Sequence, residues 1–143
     1  MTKQEDLADE LEALASFLRL DGQENRAIGY EKAARNIRRA PYIPPNPADI
    51  DGVGESIRTT IARWQRSGKI DELESLREKY AWFDDLNCVK YIGPKRARKI
   101  HEKLSVETID DLLLVGQDLT LVNGIGPKTA DKILSSARGQ QRR

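Results

Sequence analysis

A short pattern that occurs three times constrains the fold of this 143-residue chain more than any other feature. Each copy is centred on a glycine. An aliphatic residue stands four positions before it, another stands immediately before it, and an isoleucine stands seven positions after it. The central glycines are Gly54, Gly93 and Gly126. Their apolar partners are Ile50, Val53 and Ile61; Val89, Ile92 and Ile100; and Val122, Ile125 and Ile133. Three copies with equal offsets indicate a repeated supersecondary unit.

The third copy predicts two helices joined by a tight turn. Gly124 and Gly126 bracket the turn, where a residue without Cβ can adopt a positive φ or let another backbone come close. Pro127 suits the first position of the second helix, because its missing N–H would have no partner there. Lys128, Thr129 and the free N–H groups then lie at the positive end of the helix dipole. This arrangement predicts an anion-binding site.

The first and third copies resemble helix-hairpin-helix motifs, on the sequence DGVG at residues 51–54 and NGIGPKTA at residues 123–130. Together with segments 24–34 and 67–70, their order is similar to the N-terminal region of family X DNA polymerases, the polymerase beta family. The resemblance covers nearly the whole chain, without the polymerase palm. It is compatible with an independent protein and with the N-terminal part of a longer polymerase.

The resemblance implies an all-α fold of two parts. Residues 1–82 are expected to form a four-helix subdomain of the kind that carries a lyase in this family. Residues 83–139 are expected to form a five-helix tandem helix-hairpin-helix subdomain, followed by a basic tail at 140–143. The hairpins themselves are predicted at 50–57, 89–96 and 122–129, and the short first helix of the third hairpin is predicted at 118–122. Asn46 is expected to cap a short turn at residues 47–50, and Thr108 is expected to cap a connecting helix from about residue 108 to residue 115.

Charge is distributed unevenly along the chain. The net charge is only +1, from 24 basic and 23 acidic residues. Residues 1–24 are mainly acidic and predict a solvated outer face of the first helix, whereas residues 26–39 and 90–103 are mainly basic. A clustered basic patch matters more for phosphate binding than the overall sum does.

The second helix is predicted from about residue 25 to residue 40 with two distinct faces. Its predicted buried residues are Ala27, Ile28, Ala33, Ala34 and Ile37. The predicted outer face carries Arg26, Tyr30, Arg35 and Arg38, and it would form a groove for a DNA strand with Tyr30 free to stack on a base.

The sequence gives little support for a membrane protein or for a metal-binding protein. No apolar run approaches the ~18–20 residues of a membrane span, and the polar start does not resemble a signal peptide. Cys88 and His101 are the only residues of their types, so no cysteine or histidine metal cluster is expected, and Cys88 is predicted to fill the core. The expected setting is the reducing cytoplasm, with association to the nucleoid in a prokaryote.

The resemblance also raises the question of catalysis. In that family a lysine on the second helix of the first hairpin attacks C1′ of a 5′-deoxyribose phosphate and forms a Schiff base. The matching position is Thr60, which cannot form an imine, and a second family lysine is replaced by Ser56. Arg26 and Tyr30 match phosphate-contacting positions. No catalytic residue is therefore predicted; a lyase with a relocated amine, such as Lys69, is the alternative.

The predicted function is sequence-independent DNA binding through the phosphate backbone, in repair or replication, on gapped, nicked or branched DNA. The predicted DNA-contacting residues are Arg26, Tyr30, Gly52, Val53, Gly54, Gly93, Lys95, Arg96, Gly124, Ile125, Gly126, Lys128, Thr129 and Lys132. We expect a monomer that requires no cofactor, although a hairpin could hold K⁺ or Na⁺. The protein would either act alone or deliver a separate polymerase or nuclease. Another alternative is a protein-interaction module without DNA affinity. The acidic first helix favours it, as does Tyr91, which replaces a hairpin glycine.

Overall fold

The structure, a computed structural model, describes residues 3–141 and contains eight α-helices and two short 3-10 helices in that range. Because no β-strand occurs there, the all-α prediction is confirmed. The chain divides into two compact units, the first ending at Lys79 and the second beginning at Tyr80. No helix in the described range is long and apolar enough to cross a membrane.

The first unit contains four α-helices and a 3-10 helix. These are α1 (Lys3–Leu20), α2 (Glu24–Arg39), the 3-10 helix Pro47–Asp49, α3 (Glu55–Ser67) and α4 (Asp71–Lys79). Leucines of α1 fall on one stripe at helical spacing and are fully buried: Leu7, Leu11, Leu14 and Leu18. Asn46 caps the 3-10 helix, as predicted, by accepting the Ala48 N–H through Oδ1 at 3.1 Å.

The buried face of α2 differs from the prediction at two positions. Ile28 is 50% exposed, whereas Tyr30 is 3% exposed and belongs to the core. Residues 27, 30, 34 and 37 follow the three- and four-residue spacing of one helical stripe, and residue 28 lies off it. The prediction that Tyr30 faces outward was therefore wrong.

The second unit contains four α-helices and the other 3-10 helix. They are α5 (Phe83–Asn87), α6 (Gly93–Leu104), α7 (Ile109–Val115), the 3-10 helix Gly116–Leu121 and α8 (Pro127–Gln141). The helix predicted at 118–122 is thus a 3-10 helix. The tail predicted at 140–143 is helical as far as Gln141, and Arg142 and Arg143 lie outside the described residues.

Aromatic residues hold the beginning of the second unit. Phe83 is fully buried, and the Trp82 ring stacks on His101 with 4.1 Å between centroids and 9° between planes. The His101 Nδ1 lies 3.0 Å from the Val106 carbonyl oxygen, which fixes the ring. Cys88, predicted to fill the core, is exposed at the end of α5.

Candidate nucleic-acid interface

The apolar residues of the repeat anchor all three hairpins. Eight of the nine are buried, and only Ile50 is half-buried. In each copy the isoleucine seven positions after the glycine is fully buried on the second helix: Ile61, Ile100 and Ile133. The offsets found in the sequence therefore correspond to one packing scheme used three times.

In all three hairpin turns the residue two positions before the central glycine has a positive φ. The φ values are 86° at Gly52, 73° at Tyr91 and 91° at Gly124. This left-handed conformation is costly for a residue with a Cβ and is rare for a bulky side chain. The second hairpin therefore keeps the left-handed backbone of the turn even though a tyrosine replaces the glycine.

The first and third hairpins share their backbone hydrogen bonds. In both, the N–H of the residue before the central glycine donates to the carbonyl three residues earlier at 3.1 Å. The glycine carbonyl then accepts the N–H of the fourth residue onward at 2.9 Å. The donor–acceptor pairs are Val53–Ile50, Ile125–Val122, Arg58–Gly54 and Ala130–Gly126. The second hairpin differs at Gly93, which has a φ of 63°.

The second helices of hairpins two and three present lysines near their first turns. Lys95 on α6 and Lys128 on α8 are exposed, and neither forms an ion pair within residues 3–141. Pro127 begins α8, as predicted, and Thr129 is half-buried. Unpaired N–H groups at a helix start attract anions, and a neighbouring ammonium adds to that attraction. The geometry suits a phosphate group.

The second and third hairpins are linked through Tyr91. Arg96 donates from Nη1 to the Tyr91 carbonyl at 2.7 Å, and the Lys132 Nζ lies 5.6 Å from the centroid of the Tyr91 ring. The Lys90 N–H donates to the Ser136 Oγ at 2.9 Å. The two predicted DNA-contacting cations, Arg96 and Lys132, therefore also position this turn.

Two residues of α2 that sequence reasoning missed support the first hairpin. The Asn36 Nδ2 donates to the Asp51 carbonyl at 2.7 Å. A Cβ at Gly52 would lie 3.1 Å from the Lys32 Cγ and 3.2 Å from the Asn36 Nδ2, so a larger residue here would also have to displace these two side chains. Lys32 and Asn36 are four residues apart and therefore lie on one face of α2. This spacing is the feature of the sequence that could have predicted their common role.

Arg26 is held by a carboxylate of α4. Its Nη1 and Nη2 donate to the two carboxylate oxygens of Glu72, each at 2.7 Å. Hydrogen bonding to Glu72 raises the pKa of the Arg26 guanidinium. A phosphate that approached Arg26 would have to compete with Glu72 or share the guanidinium with it.

Thr60, at the position of the lysine expected for a lyase, is hydrogen-bonded to its neighbours. The Thr60 Oγ1 lies 2.9 Å from the Tyr30 Oη and donates to the Ser56 carbonyl at 3.2 Å. Because the ring of Tyr30 is buried, it is not placed to stack on a base, and DNA contact by Tyr30 stays a prediction. Lys69 is exposed directly after Gly68, which ends α3.

Ion pairs neutralise much of the charge on α1 and α2. Arg38 pairs with Asp9 and Glu12, and Arg19 pairs with Glu24 and Glu31. The acidic face of α1 is therefore partly paired rather than only solvated. On α6, by contrast, Arg98 pairs with Glu102 while Lys95 has no such partner in the described part of the chain. Three exposed basic residues of α2 also have no ion pair in that range, namely Lys32, Arg35 and Arg39.

The metal site that the hairpins could form is one made of backbone carbonyl oxygens. Residues 3–141 contain no group of three or more histidine, cysteine, aspartate or glutamate residues that could hold a metal ion. In the first hairpin the carbonyls of Ile50 and Asp51 already accept hydrogen bonds from Val53 and Asn36. A carbonyl oxygen has a second lone pair, so these two oxygens could still take part in holding a monovalent cation.

Residues 83–138 match the protein family described as the SAM-like helix-hairpin-helix tandem. The matched segment contains hairpins two and three and does not include hairpin one. A tandem helix-hairpin-helix domain within an all-α protein is thus confirmed, and such a domain suggests non-specific DNA binding. The match carries no link to family X polymerases.

Proposed function

We propose that the protein binds DNA without regard to base sequence, by contacting phosphates through the turns of hairpins two and three. The observation that supports this most directly is the pair of lysines, Lys95 and Lys128, exposed beside the starts of α6 and α8. Both helices follow a left-handed turn within the segment that matches the tandem family. Two equivalent phosphate sites on one unit are suited to a duplex.

Contacts of this kind position a protein on DNA but carry no base code, because phosphates are the same at every base pair. In hairpins two and three the contacting groups are backbone N–H groups at Gly93–Lys95 and Gly124–Lys128, with charge from Lys95, Arg96, Lys128 and Lys132. The Ile125 N–H is excluded because it donates to the Val122 carbonyl, and Pro94 and Pro127 have no N–H. Hairpin one would add the N–H groups of Gly52 and Gly54. Affinity should fall steeply with salt, because each neutralised phosphate releases counterions.

We further propose that the first unit recognises DNA ends, so that gapped, nicked or branched DNA is preferred in repair or replication. Its resemblance to the N-terminal region of polymerase beta relatives supports this role, and Arg26 is the residue that would receive a 5′-phosphate. No lyase step is proposed, since Thr60 cannot act as the amine. A separate polymerase or nuclease would then carry out the chemistry.

A K⁺ or Na⁺ ion at a hairpin is also proposed, with carbonyl oxygens of the turn as its ligands. The ion would neutralise part of the repulsion between the turn carbonyls and a phosphate. Replacing K⁺ and Na⁺ by tetramethylammonium at equal ionic strength should weaken DNA binding, as measured by fluorescence anisotropy. Equal affinity in the two salts would contradict the ion.

Anisotropy with four ligands tests the main proposal: a one-nucleotide gap with a 5′-phosphate, the same gap without it, intact duplex and single strand. Tightest binding to the phosphorylated gap would support both proposed roles. Equal binding to all duplex ligands would support the paired hairpins alone.

Charge reversal tests which residues bind. Lys95→Glu and Lys128→Glu should each weaken binding to every duplex ligand, because each places a carboxylate beside a proposed phosphate site. Lys3→Glu makes the same charge change at an exposed position of α1 and should have little effect. If all three variants bound like the wild type, the hairpins would be scaffold and a protein-interaction role would be favoured.

A further inference from the structure

The Tyr91 side chain is an exposed aromatic ring on the turn of the second hairpin. It is 52% exposed, and its φ of 73° is unfavourable for any residue except glycine. Gly52 and Gly124 stand at the equivalent positions of the other hairpins. A strained residue of this kind persists when its surroundings hold it, and such residues concentrate at functional sites.

The surroundings of Tyr91 hold both its backbone and its ring. Arg96 bonds the Tyr91 carbonyl at 2.7 Å, and the preceding Lys90 N–H is bonded to Ser136 at 2.9 Å. The Lys132 Nζ lies 5.6 Å from the ring centroid, within the range of a cation–π contact. The backbone of the turn is therefore held before any ligand arrives, and an ammonium group lies beside the ring.

This ring forms part of a groove of about 400 Å³ between the turn and α8. The groove is lined by lysines, serines and an amide in addition to the ring, namely Lys90, Lys132, Ser135, Ser136 and Gln140. An aromatic surface next to ammonium groups is the combination that binds single-stranded nucleic acid, because the base stacks and the phosphate pairs.

We propose that this groove binds an unpaired nucleotide at a gap, an overhang or a frayed end, and this inference rests on the proposed DNA-binding function. The base stacks on the Tyr91 ring, and its phosphates are bound by Lys90 and Lys132. Bases within an intact duplex have both faces covered by their neighbours, so they cannot stack on a protein ring. The groove therefore adds a preference for DNA that contains an unpaired nucleotide.

The test uses duplex DNA with a short single-stranded overhang that carries 2-aminopurine, whose fluorescence falls on stacking, and the matching blunt duplex. Wild type and Tyr91→Phe, which keeps the ring, should prefer the overhang and quench the probe. Tyr91→Gly removes the ring and restores the residue found in the other two turns, so folding should be retained. It should reduce the preference about 5- to 140-fold, as expected for the loss of one base–aromatic stack.

The outcomes separate this inference from the proposed function. Loss of overhang preference and of quenching in Tyr91→Gly, with blunt-duplex affinity retained, would support the stacking site. An unchanged preference in Tyr91→Gly would overturn the inference and leave the hairpin function standing. Absence of binding to both ligands by the wild type would overturn the proposed function and this inference together.

Discussion

The residue two positions before the central glycine has a left-handed backbone in all three hairpins. It is a glycine in the first and third hairpins and a tyrosine in the second. Gly124 has a φ of 91°, and no atom lies within 4 Å of a Cβ built there. The need for glycine at this position is therefore a matter of backbone conformation alone. At Gly52 a second constraint exists, because Lys32 and Asn36 fill the space.

This difference gives a prediction for Gly124→Ala. The variant should lose about 1–2 kcal/mol of unfolding free energy, because a Cβ is forced into the left-handed region. Gly139→Ala is the matched control, since Gly139 lies within α8 without a positive φ and with open space around it. That variant should gain roughly 0.5–1 kcal/mol of unfolding free energy, because alanine loses less conformational entropy than glycine on folding. Urea unfolding of both variants measures the difference, and effects of equal sign would contradict the argument.

Glu10 on α1 gives a prediction about pH. Burial raises the pKa of the Glu10 carboxyl, although Arg77 opposes the shift. The folded pKa then exceeds the unfolded one, so ionisation of Glu10 destabilises the fold as pH rises through the carboxyl range. Glu10→Gln should therefore raise Tm at neutral pH and give a smaller gain below the ordinary carboxyl pKa.

The control for Glu10 is Glu55, whose pKa is lowered by its hydrogen bond from Arg58. For this residue the ionised form is the one stabilised in the fold, so Glu55→Gln should not raise Tm at neutral pH. Thermal unfolding followed by circular dichroism at several pH values compares the two. A larger gain for Glu10→Gln in acid than at neutral pH would show that burial does not dominate at this carboxyl.

At the scale of helices, capping decides where the short connecting helix of the second unit begins. The Thr108 Oγ1 accepts the Asp111 N–H at 3.0 Å, as the sequence predicts for a threonine cap. The Asp111 carboxylate in turn accepts the Glu107 N–H at 3.1 Å. The two bonds define the start of α7, which sets the path between the second and third hairpins.

Thr108→Ala should therefore cost about 1 kcal/mol, because one N–H of α7 loses its acceptor. Thr108→Ser keeps the hydroxyl and should remain close to the wild type. Urea unfolding gives both values, and hydrogen exchange at Asp111 reports whether the cap itself has opened. Equal stability of the alanine and serine variants would mean that water replaces the cap at no cost.

The contact between α2 and α4 gives the second prediction at this scale. Glu72 occupies both Nη atoms of Arg26, so it competes with any phosphate for the guanidinium. Glu72→Gln keeps the shape, removes the charge and should raise affinity for the 5′-phosphorylated gap relative to the gap without phosphate. Glu78→Gln removes an equal charge from the same helix as the control. Equal effects of the two variants would assign the gain to net charge instead of to Arg26.

For the whole molecule, the balance of 24 basic and 23 acidic residues hides a local imbalance. Within the first unit, Arg19 and Arg38 are paired with carboxylates of α1 and α2. In the second unit Lys95 and Lys128 are exposed and have no ion pair in the described range. The number of exposed basic residues without an ion pair, more than the net charge, should therefore determine the affinity for DNA.

The salt dependence of duplex binding measures that charge. A plot of log affinity against log salt should be linear with a negative slope, which becomes shallower by about 0.9 for each phosphate contact removed. Lys128→Gln and Lys95→Gln should each produce such a change. Lys3→Gln, an equal loss of charge on α1, should leave the slope unchanged. Equal slopes for all four proteins would mean that neither hairpin lysine contacts a phosphate.

Features that depend on neighbours along the chain could be predicted from the sequence by itself. The repeat offsets predicted the buried residues of the three hairpins, Pro127 predicted the start of α8, and Asn46 and Thr108 predicted two caps. These features succeed because helix period, proline geometry and capping act within one or two turns.

Only the tertiary structure decided which side chains meet across the fold. Arg26 and Glu72 are 46 residues apart, and the Tyr30 hydroxyl is hydrogen-bonded to Thr60 of another helix. The sequence also did not show that Arg38 of α2 pairs with Asp9 and Glu12 of α1. The left-handed Tyr91 was likewise not predictable, because the contacts that hold it come from Arg96 and from Lys132 of a different helix. Ion pairs and the contacts that hold a strained turn join residues that belong to different helices. A pattern within one segment of the sequence carries no information about such contacts.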